Sequence, residues 1–237
     1  MSEGAAPTLF LDLDGTLLDV REKYFRLHCR IAADLGREAL SPGAFWARKR
    51  RGAALEALLP DWEEAARVEY GRRWLAEIES PLYTRFDQLM PGARHCLVKL
   101  GREFELALLT LRRDGLELRR QLQRLGISQL FSCLLVSGDY GGELTKAQLL
   151  RLNVPREERG SIVVGDTEED IRAAQALGSP VIAVLSGMRD RAFLAALGPD
   201  LIIESVVRLP AAVQSVLSRP ARDPCRSLHG LNDVSAI

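Results

Sequence analysis

The sequence predicts an α/β fold in which helices cover both faces of a parallel β-sheet and a helical domain is inserted into the chain. Short apolar runs recur along the 237 residues, and helix-like segments separate most of them. Continuous apolar runs are typical of parallel strands, because both faces of such strands are buried. Ligands of these folds bind at the carboxyl ends of the strands, so we expect the functional residues there.

Six apolar runs predict the strands of the sheet. They cover residues 9–13, 105–109, 134–136, 161–164, 180–185 and 201–203. Helix-like segments between them predict helices at residues 114–125, 145–152, 169–177 and 191–197. A left-handed glycine commonly follows the end of a helix, and Gly126, Gly178 and Gly198 follow three of these segments.

The stretch from residue 18 to residue 87 interrupts this alternation. It contains several amphipathic helices, no convincing strand and all three tryptophans, which we interpret as its apolar core. The turn Met90-Pro91-Gly92 marks the return to the sheet and begins the next helix. We therefore predict a core domain of residues 1–17 and 88–218, a helical domain of residues 18–87 and a flexible tail of residues 219–237.

The composition is that of an ordinary globular protein, with 47% hydrophobic and 27% charged residues. A formal net charge of zero gives no global field for nucleic acid or an anionic membrane, and no apolar run has membrane-spanning length. The cysteines and histidines are scattered without the spacing of a zinc site. We expect a reducing, cytoplasmic setting, and we expect Cys133, within an apolar run, to be a core thiol.

Two carboxylates follow the first predicted strand, in the segment Asp12-Leu13-Asp14-Gly15-Thr16. Side chains two residues apart on a strand point to the same face, so Asp12 and Asp14 are expected to enter one site. Neighbouring carboxylates are unfavourable unless a cation or a shared proton relieves their repulsion. The pattern predicts a metal site that also contains a nucleophile and a proton donor.

Further polar residues lie at the ends of later strands. Thr110 ends the second run, and its hydroxyl can donate to an anionic oxygen. Lys146 begins a helix after the third run, where it can act as a point charge toward a phosphate. Asp166 and Asp170 follow the fourth run, four residues apart near a helix N-terminus. An oxygen-rich site without His or Cys favours Mg²⁺.

This ordered set of residues resembles the motifs of the haloacid dehalogenase-like hydrolase superfamily, whose members are mostly phosphatases. The family motifs are D-x-D-G-T, a Ser or Thr that ends the next core strand, a Lys, and G-D-x-x-x-D. The resemblance covers residues 8–217, and the helical insertion matches the cap of phosphoglycolate phosphatase-like and β-phosphoglucomutase-like members. It implies a Rossmann-like parallel sheet core with an inserted α-helical cap domain.

The resemblance also implies a role for each carboxylate. Asp12 would attack phosphorus and form an aspartyl-phosphate. Asp14 would protonate the leaving oxygen and then deprotonate the hydrolytic water. Mg²⁺ would be held by the Asp12 carboxylate, the Asp14 backbone carbonyl and Asp166, with Asp170 in support.

Thr110, Leu111 and Lys146 are assigned to the binding of the phosphoryl oxygens, whose charge must be neutralised during transfer. The chain departs from the family pattern at Leu111, where Asn is common, and at Ala147, where Pro is common. Neither departure removes a side chain that the chemistry needs. Arg112 and Arg113 follow Thr110 closely. Residues at a helix start usually face solvent, and the alternative is that one of the two faces the phosphate pocket.

A basic run lies in the predicted cap at residues 48–51. Charge runs are usually solvated, so one interpretation is an exposed helix face. The other is that Lys49 or Arg50 reaches over the active site and binds an anionic group of the substrate. Kinetics of the two alanine variants would separate these interpretations.

The predicted function is that of a Mg²⁺-dependent phosphatase for a small phosphorylated metabolite, such as phosphoglycolate, a sugar phosphate or a nucleoside monophosphate. A closing cap excludes bulk water and large substrates, which makes a phosphoprotein substrate the less favoured alternative. A phosphomutase of the β-phosphoglucomutase type keeps the site and changes the acceptor. A non-catalytic regulatory module would be favoured by the loss of Asp12, Asp14 or Lys146, and all three are present. No nucleic-acid or membrane partner is expected, and the oligomeric state is left open.

Overall fold

The computed structural model describes residues 6–154 and 161–218. In chain order, its strands are β1 (Thr8–Leu11), β2 (Leu18–Asp19), β3 (Gln88–Leu89), β4 (Glu105–Thr110), β5 (Cys133–Val136), β6 (Ile162–Gly165), β7 (Val181–Val184) and β8 (Leu201–Ile203). Its helices are α1 (Arg21–Asp34), α2 (Pro42–Arg50), α3 (Leu55–Leu58), α4 (Glu64–Glu77), α5 (Pro81–Thr84), α6 (Ala93–Leu100), α7 (Gly115–Arg124), α8 (Lys146–Asn153), α9 (Glu168–Leu177), α10 (Arg191–Ala196) and α11 (Leu209–Leu217).

Six strands form a parallel sheet in the order β5-β4-β1-β6-β7-β8. The chain extends from β1 to one edge through β4 and β5, and then returns to build the other edge from β6 to β8. The carboxyl ends of β1, β4 and β6 therefore meet where the direction of winding changes, which is the ligand-binding position of such sheets. The predicted parallel α/β fold is confirmed, and each predicted strand matches an observed one to within two residues.

Alternate residues of β1 pack on opposite faces of the sheet. Leu9 and Leu11 belong to an apolar cluster with residues of α6, α7 and α11, whereas Phe10 belongs to a second cluster with residues of α8 and α9. All four residues of β1 are buried, as expected for a central strand covered on both faces. Helices cover both faces, and the loops at the strand ends are left to form the site.

Helices α1–α5 form the inserted part of the chain around a separate apolar cluster. Trp62 is buried in this cluster, and Trp46 and Trp74 pack against it, which confirms that the tryptophans belong to the core of the insertion. At its base, β2 and β3 pair antiparallel, with Leu18 opposite Leu89. This two-residue strand at Leu18–Asp19 corrects the expectation of an insertion without strands. The domain boundaries stay predictions.

A buried histidine links three segments of the cap. His28 Nε2 accepts the backbone N–H of Leu40 at 2.9 Å, so its proton lies on Nδ1, which donates to the Tyr70 hydroxyl at 3.1 Å. Burial, together with the nearby charge of Lys49, lowers the pKa of His28 to about 4. The neutral ring is therefore the form that fits the folded cap.

Cys133 is exposed, contrary to the expectation of a core thiol. It is the first residue of β5, which lies at the edge of the sheet and pairs only with β4. An apolar run therefore does not ensure burial of the first residue of an edge strand. No described helix combines the length and apolar character needed to cross a bilayer. The predicted tail, residues 219–237, lies outside the described residues.

Candidate active site

A pocket of about 270 Å³ lies at the carboxyl ends of β1, β4 and β6. Most of the residues predicted from the sequence line it, namely Asp12, Asp14, Thr110, Leu111, Lys146 and Asp166. Cap residues Lys23 and Tyr24 of α1 also line it, so the insertion forms part of its wall. A larger cavity of about 750 Å³ lies on another side of the cap and includes arginine and aromatic side chains of α1. The chemistry assigns the site to the smaller pocket, because the clustered carboxylates lie there.

Lys146 connects two of the carboxylates. Thr145 caps α8 with its side chain and forms a capping box with Gln148, which fixes Lys146 as the first helical residue. The Lys146 ammonium donates to Asp12 Oδ1 and, at 2.6 Å, to Asp170 Oδ1. Burial opposes its charge, but the two carboxylates outweigh burial and raise the pKa of Lys146 above its usual value. Lys146 is therefore a permanent buried cation.

Three side chains form a candidate metal centre. One carboxylate oxygen each from Asp12, Asp166 and Asp170 lie within 4.8 Å of one another, and all three residues are buried. Asp12 Oδ2 has no hydrogen-bond partner among the described residues, although it is buried. Burial and the charge of Asp170 raise the pKa of Asp12 to about 6, with Lys146 opposing this. A hard divalent cation fits such an anionic, oxygen-only group, because its charge offsets the repulsion among the three carboxylates.

Two loops hold Asp166 in this cluster. Its Oδ2 accepts the backbone N–H of Met188 at 2.5 Å, and its Oδ1 accepts the Thr16 hydroxyl at 3.4 Å. A Cβ atom at Gly15 or at Gly187 would overlap the Asp166 carboxylate, and Gly15 has a φ of +91°. Both glycines are therefore needed for the backbone to approach this carboxylate.

Both carboxylate oxygens of Asp170 accept hydrogen bonds. Its Oδ1 accepts from Lys146, and its Oδ2 accepts the backbone N–H and the hydroxyl of Thr167 at 3.0 and 2.7 Å in the capping box of α9. These contacts favour the supporting role assigned from the sequence. The metal assignments of Asp12, Asp14, Asp166 and Asp170 stay predictions.

Asp14 lies in a different environment from Asp12. Arg112 donates to both of its carboxylate oxygens, at 2.5 and 2.7 Å, and Lys23 donates to one of them at 3.2 Å. Burial alone would raise the pKa of Asp14, but the charges of Arg112 and Lys23 outweigh it and hold the pKa well below its usual value. The two acids of the D-x-D motif therefore lie in different electrostatic environments, with the pKa of Asp12 raised and that of Asp14 lowered.

Arg112 and Lys23 are site residues that the sequence reasoning missed. Arg112 is 5% exposed and lines the pocket, so the favoured interpretation, that it faces solvent, is wrong and the alternative of a pocket-facing arginine holds. It lies two residues beyond Thr110, and its guanidinium bonds with Asp14 take it inward instead. A signal for Lys23 was present, because the chain has only four lysines and this one begins the cap just after the first motif.

Thr110 is buried at the end of β4 and lines the pocket, while its assignment to phosphate binding stays a prediction. Its hydroxyl oxygen accepts the backbone N–H of Arg112 at 3.3 Å, which leaves the hydroxyl proton free to donate. Leu111 follows it and lines the same pocket.

Lys49 and Arg50 are not among the described residues that line this pocket. Arg50 donates from one guanidinium nitrogen to the backbone carbonyls of Leu185 and Arg189, at 2.8 and 3.4 Å, and so joins the cap to a core loop. The Lys49 ammonium lies 5.5 Å from the ring centroid of Tyr24 and 4.9 Å from that of Trp74. Burial, together with the charge of Arg189, lowers the pKa of Lys49 to about 8. Their assignment to the substrate stays a prediction.

Comparisons with known proteins identify the family of the chain. The family model described as haloacid dehalogenase-like hydrolase matches residues 9–184. The phosphoglycolate phosphatase (plasmid) of Cupriavidus necator is 30% identical over 228 residues, which cover 90% of this chain and 95% of that protein. The phosphoglycolate phosphatase of Synechococcus elongatus is 28% identical over 217 residues, which cover 88% of this chain and 98% of that protein.

Solved structures show the same fold. A haloacid dehalogenase-like hydrolase from Streptococcus pneumoniae superposes with a TM-score of 0.73 at 20% identity, covering 87% of this chain and 98% of the other. A predicted phosphatase from Clostridium acetobutylicum superposes with a TM-score of 0.69 at 19% identity, covering 90% of this chain and 100% of the other. The family match, the relatives and the fold confirm the resemblance to the phosphoglycolate phosphatase-like branch. The chain belongs to the haloacid dehalogenase-like hydrolase family.

Proposed function

We propose that this hydrolase is a Mg²⁺-dependent phosphatase that releases phosphate from a small phosphorylated metabolite through an aspartyl-phosphate on Asp12. The observation that carries the proposal is the environment of Asp12. Lys146 holds one of its oxygens, and the other is buried without a hydrogen-bond partner among the described residues, in the group formed with Asp166 and Asp170. A carboxylate that is fixed at one oxygen and free at the other is well arranged to attack phosphorus.

The remaining residues supply charge and proton transfer. Lys146 and the Thr110 hydroxyl are available to the phosphoryl oxygens, whose charge must be balanced during transfer. Asp12, Asp166 and the Asp14 backbone carbonyl would hold Mg²⁺, which would supply further positive charge and so reduce the repulsion between a carboxylate and a phosphate dianion. Asp14 carries the proton. Its ion pairs favour the carboxylate, which is the form that deprotonates water in the second half of the reaction.

A small substrate is supported by the pocket and by the relatives. The pocket measures about 270 Å³, and side chains of α1 in the cap contribute to its wall. Two relatives are named phosphoglycolate phosphatases, so phosphoglycolate is the first substrate to test. We retain Lys49 and Arg50 as candidate contacts for an anionic group on the substrate.

The substitution Asp12→Asn tests the proposal. The change keeps the shape of the side chain and removes the nucleophile, so phosphate release from p-nitrophenyl phosphate with Mg²⁺ should fall below detection while the circular dichroism spectrum is unchanged. Substantial residual activity would refute covalent catalysis through Asp12. Product analysis on sugar phosphates separates the phosphatase from a phosphomutase, which would yield an isomer and little free phosphate.

A further inference from the structure

Four charged side chains meet where the cap joins the core. Lys23 lies in the first turn of α1 and Asp87 immediately precedes β3, so each of the two cap connections supplies one charge. Arg112 follows β4, and Asp14 follows β1. The side chains of Lys23, Asp87 and Arg112 are 1%, 0% and 5% exposed, so these charges interact with little screening by water.

Asp87 lies behind this group and holds both cations. Its Oδ2 accepts from Lys23 Nζ at 2.8 Å, from an Arg112 guanidinium nitrogen at 3.1 Å and from the Gln121 side-chain amide at 2.7 Å. Lys23 and Arg112 in turn bind Asp14. The bond from Gln121 fixes Asp87 to core helix α7. Asp87 thus reaches Asp14 through two cations, one from the cap and one from the core.

We propose that Asp87 is a positioning residue for Asp14, acting through Lys23 and Arg112. The inference rests on the proposed function, in which Asp14 protonates the leaving oxygen. With Asp87 present, the two cations are shared between two carboxylates and held against α7. Without its charge, both cations lose the carboxylate that ties them to α7, and Asp14 is the remaining carboxylate to which they donate among the described residues. Because Lys23 and Asp87 belong to the two cap connections, alignment of the proton carrier also depends on the arrangement of the cap.

The test is the leaving-group dependence of Asp87→Asn, which preserves shape and removes the charge. kcat/KM reports the steps up to departure of the leaving group. p-Nitrophenolate leaves with little need for a proton, whereas the alkoxide from phosphoglycolate requires one. General acid catalysis contributes about 10²–10⁴-fold, so we expect kcat/KM for phosphoglycolate to fall at least about tenfold more than for p-nitrophenyl phosphate. Asp139→Asn, which removes an exposed partner of Arg119, is the matched control and should change neither value.

Two outcomes overturn the inference alone: an equal loss on both substrates, which marks a merely structural role, and no loss on either. A single substitution leaves a buried cation uncompensated, so the double variant Lys23→Met/Asp87→Asn serves if Asp87→Asn does not fold. The double variant removes a whole ion pair. Its kcat/KM must also fall more for phosphoglycolate than for p-nitrophenyl phosphate. A wild-type protein that hydrolyses neither substrate with Mg²⁺ would overturn the proposed function and this inference with it.

Discussion

Replacing Lys146 by methionine should destabilise the protein strongly, and Mg²⁺ should restore part of the loss. The Lys146 side chain is 4% exposed and contacts the carboxylates of Asp12 and Asp170. At the 2.6 Å separation from Asp170, one such contact amounts to about 6 kcal/mol at an effective dielectric constant of about 20, before the cost of desolvation. Methionine keeps most of the volume and leaves the buried carboxylates of Asp12 and Asp170 without their ammonium partner, next to the buried carboxylate of Asp166.

Removing one member of a buried ion pair costs about 3–5 kcal/mol. For a chain of this size, each kcal/mol lowers the melting temperature by about 2–4 °C, so the variant should melt about 6–20 °C below the wild type in EDTA. A bound divalent cation supplies positive charge to the same carboxylates, so the difference should narrow in millimolar Mg²⁺. The assay is thermal unfolding followed by circular dichroism, with and without Mg²⁺.

Lys99→Met is the matched control, because Lys99 is exposed on α6 and its loss should leave the melting temperature unchanged. A Lys146→Met protein that melts within about 2 °C of the wild type in EDTA would refute the reasoning about a buried cation. A deficit that is equally large with and without Mg²⁺ would refute the idea that metal and lysine neutralise the same carboxylates.

Two further predictions concern the buried His28 and the glycine at position 187, which lies against the Asp166 carboxylate. Folding lowers the pKa of His28 from about 6.5 to about 4, so the free energy of unfolding decreases as the pH falls. The contribution of the neutral ring is complete above pH 6.5 and is lost as the pH falls toward 4. The total loss is about 3 kcal/mol. In urea unfolding between pH 7 and pH 4, the free energy of unfolding of His28→Gln should therefore depend less on pH than that of the wild type. The control His95→Gln, at an exposed position, should follow the wild type. The same pH dependence for His28→Gln and the wild type would contradict this prediction. The added methyl group of Gly187→Ala would overlap the Asp166 carboxylate and displace it. We expect the Mg²⁺ concentration needed for half-maximal phosphatase activity to rise about tenfold, which corresponds to about 1.4 kcal/mol of binding free energy. Gly43→Ala, at a position with open space around it, should leave the requirement unchanged, and equal Mg²⁺ requirements of wild type and Gly187→Ala would show that the Asp166 carboxylate tolerates the methyl group.

The sheet and most of the pocket were predictable because their signals are local. Apolar runs marked the strands, and the residues that end β1, β4 and β6 had to converge once the sheet was parallel. Asp12, Thr110 and Asp166 are therefore brought to one pocket, as the strand pattern indicates.

The contacts between cap and core could not be predicted in this way. Spacing within a helix does not reveal which distant element its charged face meets, so Lys23 and Arg112 were missed as partners of Asp14. Arg50 shows the same limit, since its contacts are backbone carbonyls of a loop about 135 residues later in the chain. Backbone carbonyls carry no sequence signature. Asp87 was missed for the same reason, because the cations that it binds, Lys23 and Arg112, come from two distant segments of the chain.

The pairing of β2 with β3 has a consequence for how such a protein changes its substrate. The backbone N–H of Met90 donates to the carbonyl of Leu17 at 2.8 Å, directly beside the pairing of Leu18 with Leu89. The two ends of the insertion therefore leave the sheet side by side, at a separation that a short hairpin could close. The separation of these ends is set by this pairing and not by the helices between them. A new cap can thus be exchanged at this junction as a module, while the strands that carry the carboxylates keep their register.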